Sequence, residues 1–460
     1  MASNSNEFTL RLKAIKLRNF RCFKALSVDF HPDLTVLVAN NGQGKTSVLD
    51  AAAIALGPYV GAFDDGKDRY FSKDDIRLIR DGESNSMELA EGGVAIEADG
   101  VIEHKHVAWT REMPTLKARK RNKGVQVLIN YAEKLQRCVR HEAENDRSDE
   151  AASGISTTSL PLVAYYPTDR LWNVRRLPYK KLPRTSRMVG YTHSLESGSD
   201  FHLMADWIRY WSTNALKRKV EAQATGTYQS NSVFDNALEA VRKAVNICLA
   251  PAGWGNFDFS LAREELVATH PDHGELPVAV LSDGIRSMLT LVADIAFRIV
   301  KLNPNLGPFA VANTTGIVLI DEIDMHLHPS WQQTVLGSLR EAFPRIQFIV
   351  TTHSPQVVTS VPTESIRILS ENGVSAAPAG TEGAESSRAL KQVFSVETRP
   401  PSNDATKELL RYLALVDKGE WESHEARTLR GKLDERYQGE EPALYQADLI
   451  IENQKWERGQ

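Results

Sequence analysis

Cysteine is scarce in this chain: Cys22, Cys138 and Cys248 are the only three in 460 residues, far apart and never in a CxxC pair. An odd, dispersed set argues against a disulfide framework and against a zinc ribbon. Long apolar runs are missing, since charges break every hydrophobic patch, and the opening residues MASNSNEFTLRLK have no apolar core of the signal-peptide kind. These absences predict a reduced, cytoplasmic protein with no membrane partner. A basic excess is also missing, because 55 Lys and Arg face 59 Asp and Glu for a net charge of −4. A uniformly basic nucleic-acid coat is thereby excluded, and only local patches could serve that purpose. No heptad array or internal repeat appears, which excludes a long coiled-coil arm. What remains is ordinary for a globular protein, with 42% hydrophobic and 25% charged residues. The length predicts roughly two to three domains, or one enlarged nucleotide-binding domain with insertions.

Residues 10–17 alternate apolar and basic side chains, the period-two pattern of a half-buried strand, and a second strand is predicted near residues 26–30. Leu34–Val38 (LTVLV) is short and rich in β-branched residues, as a strand buried on both faces requires. It runs into Ala39-Asn40-Asn41-Gly42-Gln43-Gly44-Lys45-Thr46, after which residues 47–56 read as a helix. Further strands are predicted near residues 86–97, 102–109 and 160–166, with a basic knot at 117–123, a helix at 125–138 and a linker at 153–159. Helices are predicted at 200–222, 232–248 and 287–300, then buried strands at Gly316–Ile320 and 347–351 with a helix after Pro329 between them. From Asn403 onward the pattern is helical and charged.

Gly42-Gln43-Gly44-Lys45-Thr46, after a buried strand and before a helix, is a P-loop. Phosphates need a bend of free backbone N–H groups, which glycines permit, and the positive end of a helix. The candidate contacts are Asn41, Gly42, Gln43, Gly44, Lys45, Thr46 and Ser47. Lys45 would reach the β- and γ-phosphates of ATP, and the Thr46 hydroxyl would hold Mg²⁺. The pattern's first glycine is Ala39 here, which fits if its φ is negative. Four apolar residues, Ile317 to Ile320, then deliver Asp321 and Glu322 to a strand end, the edge where doubly wound sheets bind ligands. Asp321 suits Mg²⁺, and Glu322 suits the base that polarises an attacking water. The competing reading is an acidic pair that caps a neighbouring helix.

Leu281-Ser282-Asp283-Gly284-Ile285 precedes a helix about forty residues before the carboxylate pair, and a later strand ends in Thr351-Thr352-His353-Ser354. This order resembles the ATP-binding cassette (ABC) ATPases, in the branch that holds SMC, Rad50, RecF and the overcoming-lysogenisation-defect nucleases. The resemblance implies that Ser282 and Gly284 cap the γ-phosphate held by a second subunit's P-loop, with Asp283 departing from the usual small residue. It implies that Asp324 sits at a dimer seam, that His353 touches the γ-phosphate, and that Arg21 of Leu17-Arg18-Asn19-Phe20-Arg21 approaches the nucleotide. A satisfied core histidine and a surface arginine are the respective alternatives. His326 and His328 could suggest metal, but a His-x-His on a loop is more often structural. No Q-loop glutamine declares itself.

The expected fold is α/β: an ABC-type P-loop ATPase domain with an inserted helical lobe and a helical C-terminal extension. Residues 1–110 and 276–375 would form the two halves of the ATPase domain, 111–275 the inserted lobe, and 376–460 the extension. SMC and Rad50 proteins carry long coiled coils, and the lysogenisation-defect nucleases a Toprim domain with a DxD pair; neither feature is visible here. The profile, and the phrase from Leu281 to Ala296, resemble the ATPase subunits of Septu anti-phage systems, the PtuA group, also found beside retrons. That resemblance implies a homodimer or higher homo-oligomer that controls a partner HNH nuclease of the PtuB kind through an ATP sandwich, with slow hydrolysis. The helical stretch 408–418, with Leu409, Leu410, Leu413 and Leu415, would serve either as a docking face or as packing on the chain's own core. Arg175, Arg176, Lys180, Lys181, Arg184 and Arg187 are candidate contacts to a nucleic-acid backbone. The alternatives are a RecF-like DNA-binding repair ATPase without a nuclease partner and a self-sufficient nuclease with a hidden site.

Overall fold

The structure is a computed structural model, and it describes residues 10–80, 87–114, 121–145, 158–168, 186–196, 201–226, 232–371, 373–457 and 459. Two compact units divide the chain, Met1–Ala389 and Leu390–Gln460. The second therefore begins later than the residue 376 expected for the C-terminal extension.

The first unit is built on a six-stranded sheet in the order Gly373–Ala376, Ile366–Ser370, Leu34–Val38, Ile346–Thr352, Gly316–Ile320, Leu162–Tyr166. All neighbours are parallel except the antiparallel edge strand Gly373–Ala376. Leu34–Val38, Gly316–Ile320, Ile346–Thr352 and Leu162–Tyr166 are buried at every position. That explains their continuous apolar runs, since a parallel sheet is covered on both faces. Leu162–Tyr166 pairs with Gly316–Ile320. The stretch 111–275, expected as an inserted helical lobe, therefore supplies one strand of the central sheet. It also contains a three-stranded antiparallel sheet, Gly255–Ser260, Glu265–His270 and Gly274–Pro277, that the helical reading missed. Ile366–Ser370 and Gly373–Ala376 were likewise unforeseen, being short and only partly buried.

A second sheet is antiparallel, in the order Phe23–Asp29, Leu10–Phe20, Val94–Ile102, Lys105–Met113, Arg121–Lys123. The helix that follows the P-loop, Lys45–Gly61, is buried along almost its whole length. Its alanines, Ala51, Ala52, Ala53 and Ala55, leave room for close approach on several sides. Two side chains of the second sheet bond to this helix: Trp109 Nε1 donates to the Ala55 carbonyl at 2.9 Å, and buried Arg111 donates to the Ile54 carbonyl at 2.6 Å. The two sheets are stitched by Gln347, which is fully buried. It accepts from Leu12 N at 3.0 Å and donates to the carbonyls of Leu12 and His31 at 2.8 and 3.0 Å.

Long helices Phe201–Thr225, Val233–Leu249 and Asp283–Leu302 complete this unit's interior. Leu390–Gln460 contains the helices Asp404–Asp417, His424–Tyr437 and Pro442–Glu457 around a core that includes Leu409, Leu415, Leu433 and Leu444. Leu409 and Leu415 thus pack inside this unit, with Leu413 partly buried against the same core, whereas Leu410 is 53% exposed. Among the described residues no helix is long and apolar enough to cross a membrane.

Candidate nucleotide-binding site

Four parallel strands end at one edge of the central sheet, and the residues just beyond them gather there. After Leu34–Val38 the chain turns through Asn40 and Gln43, with Gln43 N donating to the Asn40 carbonyl at 3.3 Å and Asn40 N to Gln43 Oε1 at 3.2 Å. Gly42 and Gly44 have φ of 78° and 83°, a left-handed region that favours glycine. Gly44 is doubly required, because a Cβ there would lie 2.4 Å from the Phe23 ring. Ala39 keeps a negative φ, so the missing first glycine of the motif imposes no backbone strain. Gly44 caps the helix Lys45–Gly61 with no side-chain bond, which leaves the first-turn N–H groups available to an anion.

Lys45 curls back onto its own loop, donating to the carbonyls of Ala39 at 2.9 Å and Asn40 at 3.4 Å. Burial pulls its ammonium below the ordinary value, while Asp321, Glu322 and Asp324 pull the other way. Thr46 Oγ1 donates to Asp321 Oδ2 at 2.7 Å. The P-loop and the carboxylate-bearing strand, 275 residues apart, therefore converge as the motif reading expects.

Asp321 is only 1% exposed and, among the described residues, accepts from three hydroxyls. Besides Thr46, Thr168 donates to Oδ2 at 2.7 Å and Thr351 to Oδ1 at 2.5 Å. Thr351 Oγ1 in turn accepts from Glu322 N at 2.7 Å. Glu322 has a φ of 45°, a region disfavoured for a residue with a Cβ and typical of functional sites. Asp324 Oδ1 accepts from Thr352 Oγ1 at 2.6 Å and from His353 N at 3.3 Å. His353 is thereby held by its backbone at the strand end beside Asp324, half-buried. Thr168, Thr351 and Thr352 were missed as site residues. The signal lay in polar residues closing otherwise apolar strands, Thr351-Thr352 after Val350 and Thr168 soon after Tyr166.

Oxygen donors from a P-loop threonine and a buried carboxylate suit a hard divalent cation such as Mg²⁺. Among the described residues no group of three or more His, Cys, Asp or Glu is gathered as a metal cage. The arrangement fits a cation shared between Thr46, Asp321, phosphates and water rather than one held by protein alone. His328 instead caps the short helix Pro329–Gln332, its ring accepting from Ser330 N at 3.3 Å.

Ser282 caps Asp283–Leu302, and it and Asp283 are exposed. Gly284 is buried, and a Cβ there would meet the His326 carbonyl at 2.3 Å, so the helix start lies against the loop that follows Asp324. Among the described residues neither Ser282 nor Gly284 makes a hydrogen bond to the P-loop of the same chain. Arg21 lies in a left-handed bend, φ 48°, and its guanidinium pairs with Asp50 of the P-loop helix and with Asp75. Asp50 is shared with Arg69, which rests on the Tyr165 ring. The structure thus places Arg21 in a buried ion-pair cluster beside the P-loop helix.

Of the basic segment, Arg175, Arg176, Lys180, Lys181 and Arg184 lie outside the described residues. Arg187 is described and corrects the expectation. It is largely buried, donating to the carbonyls of Leu302 and Thr158 at 2.7 Å each and lying 3.7 Å from Glu142. A side chain so occupied tethers its own fold and is not presented to a phosphate backbone.

Residues 14–243 match a family model described as AAA domain, and residues 264–359 match one described as AAA domain, putative AbiEii toxin, Type IV TA system. The chain is 29% identical to the Retron Ec83 probable ATPase of Escherichia coli, over 97% of this chain and 88% of that protein. It is 27% identical to the Retron Vc95 probable ATPase of Vibrio cholerae serotype O1 biovar El Tor, over 80% and 74% respectively. The Septu protein PtuA of Bacillus thuringiensis is 33% identical over 28% of this chain and 33% of that protein.

Proposed function

Because this chain belongs to the AAA-domain family, matched over half its length, and is of the retron and PtuA ATPase type, we propose that it is the regulatory ATPase of an anti-phage defence complex. The observation that carries the nucleotide half of this reading is the 2.7 Å bond between Thr46 Oγ1 and Asp321 Oδ2. It joins the two motifs that an ATP site requires, at the open end of a helix.

In this reading the N–H groups of residues 41–47 and the Lys45 ammonium bind the phosphates of ATP. Mg²⁺, when bound through Thr46 and Asp321, supplies charge neutralisation at the phosphates. Glu322 orients and polarises the attacking water. His353 lies within reach of the γ-phosphate from the neighbouring strand end. Two copies sandwich two nucleotides, with Ser282 and Gly284 of each capping the other's γ-phosphate and Asp324 at the seam. The exposure of Ser282 and Asp283, and the absence among the described residues of a hydrogen bond from Ser282 or Gly284 to the P-loop of the same chain, support a role toward a second subunit. Hydrolysis is slow, and occupancy controls a partner nuclease of the HNH kind.

Two measurements test the reading. Lys45→Ala should abolish ATP binding by calorimetry, and unchanged affinity would remove the P-loop assignment. Affinity purification from the native host with mass spectrometry should recover a small HNH protein in stoichiometric amount. Recovery of nucleic acid with no protein partner would leave a RecF-like DNA-binding ATPase instead.

A further inference from the structure

Thr168 lies two residues beyond the end of the strand Leu162–Tyr166. That strand runs parallel to Gly316–Ile320 with Tyr166 opposite Ile320, and Asp321 N donates to the Tyr166 carbonyl at 2.8 Å. Pro167 follows, which has no N–H to continue the pairing and fixes its own φ. The chain is thus anchored on Asp321 at Tyr166 and leaves the sheet through a stiff residue. Thr168 then reaches the Asp321 side chain, its Oγ1 donating to Oδ2 at 2.7 Å.

The threonines around Asp321 differ in what else they do. Thr351 is fully buried, and its hydroxyl both donates to Oδ1 and accepts from Glu322 N at 2.7 Å. It is engaged on both sides and joins two strand ends. Thr46 and Thr168 both donate to the other oxygen, Oδ2, at 2.7 Å each. Thr46 is exposed and Thr168 half-buried, although the carboxylate they share is sealed from solvent. Among the described residues neither of these two hydroxyls accepts a hydrogen bond. Thr168 therefore resembles the P-loop threonine, and not Thr351, in its relation to Asp321.

A hydroxyl carries one proton and two lone pairs. With the Thr168 proton committed to Oδ2, its lone pairs remain for an electron-pair acceptor. A hard divalent cation takes oxygen ligands, and Mg²⁺ in a nucleotide site keeps several waters beside the phosphates. A threonine oxygen already held in place by Asp321 can replace one of those waters without being ordered at the moment of binding. The carboxylate meanwhile supplies negative charge to the same place.

We propose that Thr168 is a second hydroxyl ligand of the divalent cation that accompanies ATP, keeping its proton on Asp321 and giving a lone pair to the metal. The inference rests on the ATPase reading and deepens it. The cation is held from two sides, by Thr46 at the start of the P-loop helix and by Thr168 beyond the strand Leu162–Tyr166. Thr351 takes no part in the coordination.

The test is Mn²⁺ binding to the full chain in the presence of a non-hydrolysable ATP analogue, read by electron paramagnetic resonance. Affinity for the analogue in EDTA is measured in parallel by calorimetry. Thr168→Val keeps the shape and removes the oxygen, so it should weaken Mn²⁺ by about tenfold or more. Its metal-free affinity for the analogue should stay within about twofold of the wild type. Thr168→Ser keeps the hydroxyl and should bind Mn²⁺ as the wild type does. Thr168→Cys places a soft sulfur at the metal, so its preference for Cd²⁺ over Mn²⁺, measured by displacement, should rise by about tenfold or more. A threonine that only props Asp321 gives no such change of metal preference. Unchanged Mn²⁺ affinity in Thr168→Val overturns the inference, as does an unchanged Cd²⁺ preference in Thr168→Cys. So does a loss of Mn²⁺ in Thr168→Ser equal to that in Thr168→Val, or a loss of metal-free analogue affinity as large as the loss of Mn²⁺. If the wild type binds no analogue, the ATPase reading falls and this inference with it. If the wild type and Thr168→Val bind analogue and Mn²⁺ alike, this inference alone falls.

Discussion

Replacing Arg298 by methionine should destabilise the first unit by about 4 kcal/mol, more than most single substitutions. Arg298 and Asp294 are 3% and 1% exposed on one helix, and Arg298 Nε donates to Asp294 Oδ2 at 2.7 Å. Arg298 also donates to the carbonyls of Gly190 and Thr192 at 3.0 and 2.9 Å, and Tyr166 Oη donates to the same Asp294 oxygen at 2.7 Å. Burial lowers the guanidinium, but Asp294 and Tyr166 outweigh it and hold its pKa above the ordinary value. Methionine fills the stem's volume but leaves the Asp294 charge buried without its cation, a situation that costs about 3–5 kcal/mol, and orphans two carbonyls. Asp294→Leu alone should be similarly damaging, because it strands the cation. The double variant Asp294→Leu/Arg298→Met removes both charges, so it should lose less than the sum of the two singles by about 2 kcal/mol. It should not return to wild-type stability, since the two carbonyls and the Tyr166 hydroxyl still lack partners. Urea unfolding followed by circular dichroism measures all four proteins. A loss below about 1 kcal/mol in Arg298→Met, or strict additivity in the double variant, would refute the buried-pair reasoning.

Glu322→Gln should bind ATP with near-wild-type affinity and stall with nucleotide retained, read as single-turnover hydrolysis and gel filtration; normal turnover removes Glu322 from the base role. Gln347→Leu should lower stability by about 3 kcal/mol, since Leu12 N and the carbonyls of Leu12 and His31 lose their partner in the dry seam between sheets. A loss within about 0.5 kcal/mol would show that the sheets hold together without it. Lys301 makes a pH prediction: the folded chain releases its proton near 8, whereas the unfolded chain keeps it to the ordinary 10.5. Between those values the unfolded state binds the extra proton, so this residue's penalty on folding, present in full below pH 8, fades as pH rises. Measured against Lys301→Met, the wild type should gain up to about 3 kcal/mol from pH 8 to 10.5, and parallel pH profiles for the two proteins would contradict it.

The candidate site was legible in the sequence where chemistry and local backbone coincide. A buried strand, two glycines at left-handed φ and a lysine opening a helix occupy consecutive positions, and Asp321-Glu322 directly closes its strand. What could not be read depended on which strand lies beside which. Nothing in LVAYY states that its neighbour is GIVLI, so Leu162–Tyr166 was assigned to an inserted lobe, and Thr168 went unnoticed with it. Thr351 suffered the same fate, because its importance lies in reaching across to Asp321 from an adjacent strand. Arg187 looked like part of a basic stretch because charge is visible in a sequence and burial is not. Arg21 was identified by its motif, but its partners Asp50 and Asp75 come from a helix and a loop far along the chain.

The cluster around Asp321 also bears on how a nucleotide could act as a switch. Three of the side chains expected to hold ATP and its cation already have partners within the protein. Lys45 rests on the carbonyls of Ala39 and Asn40, Thr46 on Asp321, and Asp321 on two further hydroxyls. At these side chains binding must exchange hydrogen bonds rather than fill an open demand, and the net gain per contact is small compared with its gross strength. The exchange also frees something at each step. When Thr46 turns from Asp321 toward a cation, Oδ2 keeps Thr168 and Oδ1 keeps Thr351, whose hydroxyl also receives Glu322 N. The base candidate's backbone is thus tied, through one threonine, to the same carboxylate that would meet the cation in the proposed function. Thr351→Val would break that tie while leaving Lys45 and Thr46 in place. The expected result is retained ATP binding with reduced turnover, and equal losses in both would place Thr351 in the binding of nucleotide itself.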